Sequence, residues 1–175
     1  MGVIARIRGL VAVKPVPLWT SEYIQVPSSA NLADVIFDAG DAIGPVSSFL
    51  IPKAGTLDFA KLYVRADLNT QFNIVLFWEK PAFPPVSDAV FALDDYDLLR
   101  KLHTLQFTVF EDFGTSHTSD LDHIGLHYSL PPYGASKKLA LVYFQCYAIA
   151  AQTHVIGSEN LFKLTILPDE PTPPA

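Results

Sequence analysis

The sequence of 175 residues predicts an all-β fold, an antiparallel β-sandwich of the jelly-roll type with one short helix in a crossover loop. Three observations carry this. Apolar and polar residues alternate with a period of two over several short stretches, the pattern of a strand with one buried face. Pro and Gly, 14 and 9 of them, fall between those stretches and stop them. The one helical signal is short. Two antiparallel sheets packed face to face suit this length. An immunoglobulin-like sandwich would be shorter and would show a Cys…Trp…Cys pattern, which is absent.

The elements follow in order. Residues 1–17 form an N-terminal arm, apolar enough that it must pack on something. A single sandwich domain spans 18–168, and 169–175 is a Pro-rich tail that cannot continue a strand. Val35 to Asp38 and Val46 to Ile51 are short strand candidates separated by Gly40 and Gly44. Leu62, Val64 and Ala66 alternate with Lys61, Tyr63 and Arg65. Phe72, Ile74, Leu76 and Trp78 alternate with Asn73, Val75, Phe77 and Glu79, and Pro81, Pro84 and Pro85 then end that strand. Asp94 is placed to cap a helix over about Asp95 to Leu102, with Asp95 and Asp97 in its first turn and Arg100 and Lys101 at its far end. Leu98, Leu99 and Leu102 would be its apolar side. Leu105 to Glu111 is β-branched and aromatic, and Phe162, Leu164 and Ile166 alternate with Lys163 and Thr165.

Leu139 to Ala150 differs from the rest. Leu141, Tyr143, Tyr147 and Ile149 share one face, and Ala140, Val142, Phe144, Cys146 and Ala148 share the other. A strand apolar on both faces is covered on both. Either a loop or arm lies over it, or another subunit does.

Composition excludes whole classes of function. Half of the chain is hydrophobic and 17% is charged, against roughly 25% in an ordinary domain. Disorder requires the reverse balance. A net charge of −6 argues against nucleic acid as a partner. Cys146 stands alone, so no disulfide framework is available. The run Leu10 to Val13 is too short for a secretory core, Arg6 sits where a myristoylation motif wants Ser or Thr, and no stretch approaches a membrane span. The single Cys points to synthesis in a cytosol.

Chemistry-bearing residues are few. His117, His123 and His127 lie with Asp120 and Asp122 in one short span, and His with carboxylate is a transition-metal donor set. Their spacing matches no known metal motif, so a polar loop with a strand beginning near Asp122 is the preferred reading. Asp38, Asp41, Asp67 and Asn69 read as turn residues rather than calcium ligands. Asp94, Asp95 and Asp97 are explained by helix capping. Cys146 falls mid-strand, where a thiol is inert core. No nucleophile elbow or nucleotide-binding glycine motif occurs. No catalytic residue, metal or cofactor is assigned, and the chain is not expected to be an enzyme.

One stretch has a family likeness. Leu57-Asp-Phe-Ala-Lys-Leu-Tyr-Val64 is followed by Phe72-Asn-Ile-Val-Leu-Phe-Trp-Glu-Lys-Pro81, then by Ser87-Asp-Ala-Val-Phe-Ala-Leu-Asp-Asp-Tyr-Asp-Leu-Leu99 and a strand at Leu105-Gln-Phe107. This resembles small virion proteins of tailed bacteriophages, of the kind encoded near the major capsid protein. Asn160-Leu-Phe-Lys-Leu-Thr-Ile-Leu-Pro168 is similar to the closing strand of such chains. The resemblance implies an auxiliary capsid protein, called decoration or cement, on the capsid surface, with the major capsid protein and copies of itself as partners. It implies no catalytic residues. The arm and the His117 to His127 loop lie outside it.

An assembly protein should carry surplus apolar surface, because exposed apolar patches mark interfaces. The expected contacts are Ile4, Ile7, Leu10, Val11 and Trp19 in and beside the arm, Phe83, Pro84 and Pro85 in the loop, and Tyr143 and Tyr147 on the two-faced strand. Two alternatives stand behind it. A carbohydrate- or receptor-binding module of a fibre or spike would use Trp19, Tyr23, Tyr63, Trp78 and Tyr133. A metal-dependent cupin-type enzyme would use the histidines.

Overall fold

A computed structural model describes residues 18–26, 36–64, 72–107, 110–113, 116–135, 137–153 and 160–170. Two antiparallel sheets face each other. The larger contains β1 (Trp19–Thr20), β2 (Ile24–Val26), β5 (Ala54–Val64), β8 (Glu111–Asp112), β9 (His117–Leu121), β10 (Leu126–Ser129) and β13 (Asn160–Pro168). The smaller runs in the order β4 (Ala42–Pro52), β11 (Leu139–Ala148), β6 (Phe72–Phe77), β7 (Lys101–Gln106). A separate ribbon pairs β3 (Ile36–Phe37) with β12 (Gln152–Thr153).

The pairings make this a jelly roll. β1 and β2 both pair with β13 and occupy one strand position; β9 and β10 both pair with β5 and occupy another. Numbered along the chain, the eight positions then lie 1-8-3-6 in one sheet and 2-7-4-5 in the other. The pairs 1–8, 2–7, 3–6 and 4–5 are those of one long hairpin rolled up on itself, which is the jelly-roll connectivity. No helix among the described residues is long and apolar enough to cross a membrane.

Period-two patterning delivers the core. On β5 the residues Leu57, Ala60, Leu62 and Val64 are buried, and on β13 Phe162, Leu164 and Ile166 are. From the facing sheet come Phe72, Ile74 and Leu76 of β6 and Val142, Phe144, Cys146 and Ala148 of β11. An aromatic triangle ties the sheets together: Phe49, Phe144 and Phe162 have ring centroids 5.7, 5.6 and 5.2 Å apart, all tilted or edge-on. Such geometries are favoured because ring edges are positive and ring faces negative.

Several strands begin earlier than their sequence signals. β4 runs from Ala42 rather than Val46, straight through Gly44 and Pro45. Its register against β11 slips between Phe144 and Cys146, so Gly44, Pro45 and Val46 bulge opposite Gln145 alone. Gly44 has a φ of +71°, which glycine adopts freely, and Pro is tolerated in a bulge because no ladder N–H is needed there. The β7 strand starts at Lys101, not Leu105, because pairing with Phe77 extends it back to the end of the helix. The helix, α1 (Asp95–Leu98), is a single turn rather than two. Its expected apolar side is also corrected: Leu98 and Leu99 are exposed, and the buried residue is Asp97.

The β5–β13 pair makes one tight contact. A Cβ on Gly55 would lie 2.6 Å from the Leu167 carbonyl oxygen and 2.9 Å from Pro168 Cα. Both are backbone atoms in a ladder and cannot step aside. Gly55→Ala is therefore expected to destabilise the fold by about 2 kcal/mol, the usual cost of overpacking. Urea unfolding of the variant beside the parent measures it, and an unchanged midpoint would refute the close approach.

Candidate functional site

The outer face of the smaller sheet carries the most organised surface feature. After Phe77 the chain leaves β6, crosses that face and returns at β7. Trp78 N–H donates to the Arg100 carbonyl at 3.0 Å, and its indole N–H donates to the Leu99 carbonyl at 3.1 Å, so the two ends of the crossover are stapled.

Asp97 holds the first half of the crossover. Asp94 caps the helical turn by accepting the Asp97 N–H at 2.8 Å. That cap directs the Asp97 carboxylate away from solvent, where it accepts the N–H groups of Ala82 at 2.7 Å and Phe83 at 2.9 Å. Arg100 balances the charge: it lies 3.3 Å from Asp97 and 3.4 Å from Glu79, and also donates to the Lys80 carbonyl. A buried carboxylate requires such partners, since an unpaired one is strongly disfavoured away from water.

Gln145 and β4 hold the second half. The Gln145 amide donates to the Pro85 carbonyl at 2.7 Å and the Gly44 carbonyl at 3.1 Å. Ser87 Oγ accepts the Gly44 N–H. Asp88 N–H donates to the Ala42 carbonyl, Ala42 N–H to the Ala89 carbonyl and Phe91 N–H to the Gly40 carbonyl, which prolongs the sheet hydrogen bonding into the crossover. Phe91 stacks on Tyr147 at 4.8 Å, and the Tyr147 hydroxyl accepts from Asn73 at 2.6 Å.

The consequence is a backbone fixed on its inner side with apolar side chains turned out. Phe83, Val86, Val90, Tyr96 and Leu99 are each exposed by 66% or more. Between the crossover and the sheet lies a cavity of about 350 Å³, lined by Val75, Val90, Phe91, Leu98 and Tyr147 with Lys101 at its edge.

The residues expected to contact a partner separate into three groups. Phe83 is fully displayed, with Pro84 and Pro85 half-buried beside it. Trp19 is corrected: it is 4% exposed and belongs to the core, because pairing of β1 with β13 turns its side chain inward. Tyr143 and Tyr147 are half-buried, and Tyr147 is covered by this chain's own Phe91, so of the two readings of β11 the covering loop holds there. Ile4, Ile7, Leu10 and Val11 lie outside the described residues. Val86 closes the loop from Pro81 that was expected to reach a partner, whereas the sequence reading missed Val90, Tyr96 and Leu99. The Pro residues on one side and the aspartates of the cap on the other were the available signal, because both hold the backbone and leave the residues between them unburied.

The histidines do not converge. His117 pairs with Val64 and is buried, whereas exposed His127 pairs with Thr56, eight positions away on β5. At about 3.3 Å per residue they stand roughly 26 Å apart. His123 lies between them at a φ of +54°, in the irregular stretch that separates β9 from β10. The expected strand start near Asp122 is corrected, as β9 ends at Leu121 and β10 begins at Leu126. Cys146 is fully enclosed on β11, and burial pushes its thiol well above the usual range. The aromatic set of the sugar-binding reading is divided: Tyr63 lies on the larger sheet, Trp78 follows β6 of the smaller one and Trp19 is core.

One histidine sits on this sheet. His103 of β7 is shifted below its ordinary value of 6.5, first by burial and second by the Lys101 charge. The fold thus favours neutral His103. Its contribution to stability is complete above 6.5 and is lost as the pH falls through that value towards the lower folded one. His103→Gln is expected to flatten the fall of the melting temperature between about pH 7 and 5.5; parallel curves for the two proteins would contradict the shift.

No family model, no curated protein and no solved structure matches this chain.

Proposed function

We propose that the chain is a structural virion protein, a decoration or cement protein that binds the capsid shell of a tailed phage and stabilises it. The observation that carries the proposal is the crossover 78–99, whose backbone is pinned while Phe83, Val86, Val90, Tyr96 and Leu99 face solvent. A surface fixed before binding loses little entropy on docking, so its apolar contacts are retained as affinity. Interfaces are built around such apolar anchors. The stretch resembling small virion proteins, Leu57 to Phe107, contains this whole segment. The low proportion of charge in the chain agrees with a surface made to be covered.

Partners in this reading are the major capsid protein and further copies of the chain. The test is co-sedimentation with purified capsid shells that lack the protein. Saturable binding is expected, with a rise in the temperature at which shells release their genome or collapse. Phe83→Ser together with Leu99→Ser should abolish binding and leave the melting temperature of the free protein nearly unchanged. Absence of binding to shells, or capture of glycans on an array instead, would overturn the proposal.

A further inference from the structure

The cavity beneath the crossover has a floor, two walls and one charge. Val75 of β6 pairs directly with Thr104 of β7, and Tyr147 of β11 lies diagonally across from Val75, so the three make one patch of floor on the outer face of the smaller sheet. Val90 and Phe91 wall it from the crossover, and Leu98 from α1. Hydrogen bonds hold both walls off the floor. Phe91 N–H donates to the Gly40 carbonyl and Ala42 N–H to the Ala89 carbonyl, each at 2.7 Å, which fixes Val90 beside the start of β4. On the other side Leu98 N–H donates to the Asp94 carbonyl at 3.0 Å, and the Leu99 carbonyl is held by the Trp78 indole. Val90 and Leu98 are accordingly 72% and 49% exposed around about 350 Å³ of space. Apolar side chains beside an unfilled space forgo the dispersion contacts that a filling group would give them. The volume falls at the lower end of the roughly 300–1,000 Å³ of small-molecule sites.

Charge narrows what could fill it. The chain carries a net charge of −6, yet none of the described residues lining the cavity is acidic, and Lys101 on its rim is basic. Arg100, the neighbouring cation, is engaged by Asp97 and Glu79. The Lys101 side chain has neither an ion pair nor a hydrogen bond among the described residues. Its field reaches His103, whose pKa it lowers as the second cause after burial. We propose that this cavity binds a small amphipathic monocarboxylate, its hydrocarbon body laid over Val75 between Val90 and Leu98 and its carboxylate at the Lys101 ammonium. The site stands apart from the virion reading, since no shell contributes to it. Apolar burial supplies most of the affinity, and the head group decides between ligands that share a tail. A cation is repelled by Lys101, and a neutral alcohol gains the apolar contacts alone.

Octanoate, octanol and octylammonium have one tail and three charges, and each is titrated into the full chain with methyl signals followed by NMR. Octanoate is expected to shift the signals of Val75, Val90 and Leu98 saturably, octanol more weakly and octylammonium most weakly. Lys101→Gln should weaken octanoate about fivefold, the usual limit for an ion pair open to water, and leave octanol unchanged. Val90→Trp places a larger side chain at an exposed position and should weaken octanoate and octanol alike by filling the cavity. No saturable shift with millimolar octanoate would overturn the proposal. Equal affinities for octanoate and octylammonium would overturn it too, as would an octanoate affinity unaltered by either substitution.

Discussion

Phe162→Ala is expected to destabilise the protein by about 4 kcal/mol, as truncation of a buried Phe typically does. Phe162 is fully buried and is the ring of the triangle that joins β13 of the larger sheet to Phe49 and Phe144 of the smaller. Removing it leaves a void between two sheets, and sheets held by continuous ladders cannot close on it as a loop would. A domain of this size commonly has 5–15 kcal/mol of stability and moves by about 2–4 °C per kcal/mol, so a fall of roughly 10 °C in melting temperature is expected. Phe162→Leu should recover more than half of the loss. A loss below about 1 kcal/mol on alanine substitution would show that the triangle does not join the sheets.

Asp97→Ala is expected to cost about 3 kcal/mol, because two charge-assisted hydrogen bonds are lost and their donors are left in a partly buried place. The affected donors are the backbone N–H groups of Ala82 and Phe83, and Arg100 loses its nearer carboxylate. Unlike Phe162→Ala, this change should act locally. Amide exchange across residues 80–88 should accelerate while β6 and β11 remain protected. Asp97→Asn should recover only part, since one of its two carboxylate oxygens becomes an N–H₂ facing a backbone N–H. Shell binding should weaken in both variants although no displayed side chain has changed. If exchange in the crossover were unaffected, Asp97 would not be what holds it.

Legibility differed between the scaffold and the site. Phe72, Ile74 and Leu76 faced the core as their alternation required, and the two-sided burial of β11 was evident from its composition. Gly44 misled, since a glycine between apolar runs reads as a break and here forms a bulge within β4. Leu98 and Leu99 misled for a related reason. They suit the apolar side of a two-turn helix, but the chain turns into β7 after one turn and leaves them outside. Asp97 was legible as a first-turn acid, not as the anchor of a loop fifteen residues earlier. The three histidines looked like a cluster because proximity in sequence is retained in a loop, and a strand pulls it apart.

What the sequence determined unaided was the class of object. Strand periodicity, Pro and Gly punctuation and a low proportion of charge are local or summed properties, and they suffice for an all-β sandwich with apolar surface to spare. Where that surface lies was decided by tertiary structure. Whether Trp19, Tyr147 or Leu99 meets solvent depends on which distant segment crosses above it, namely β13, the Phe91 loop or none. Those contacts join residues up to 147 positions apart, as Trp19 and Ile166 show, and a pattern with a period of two carries no information on partners so remote.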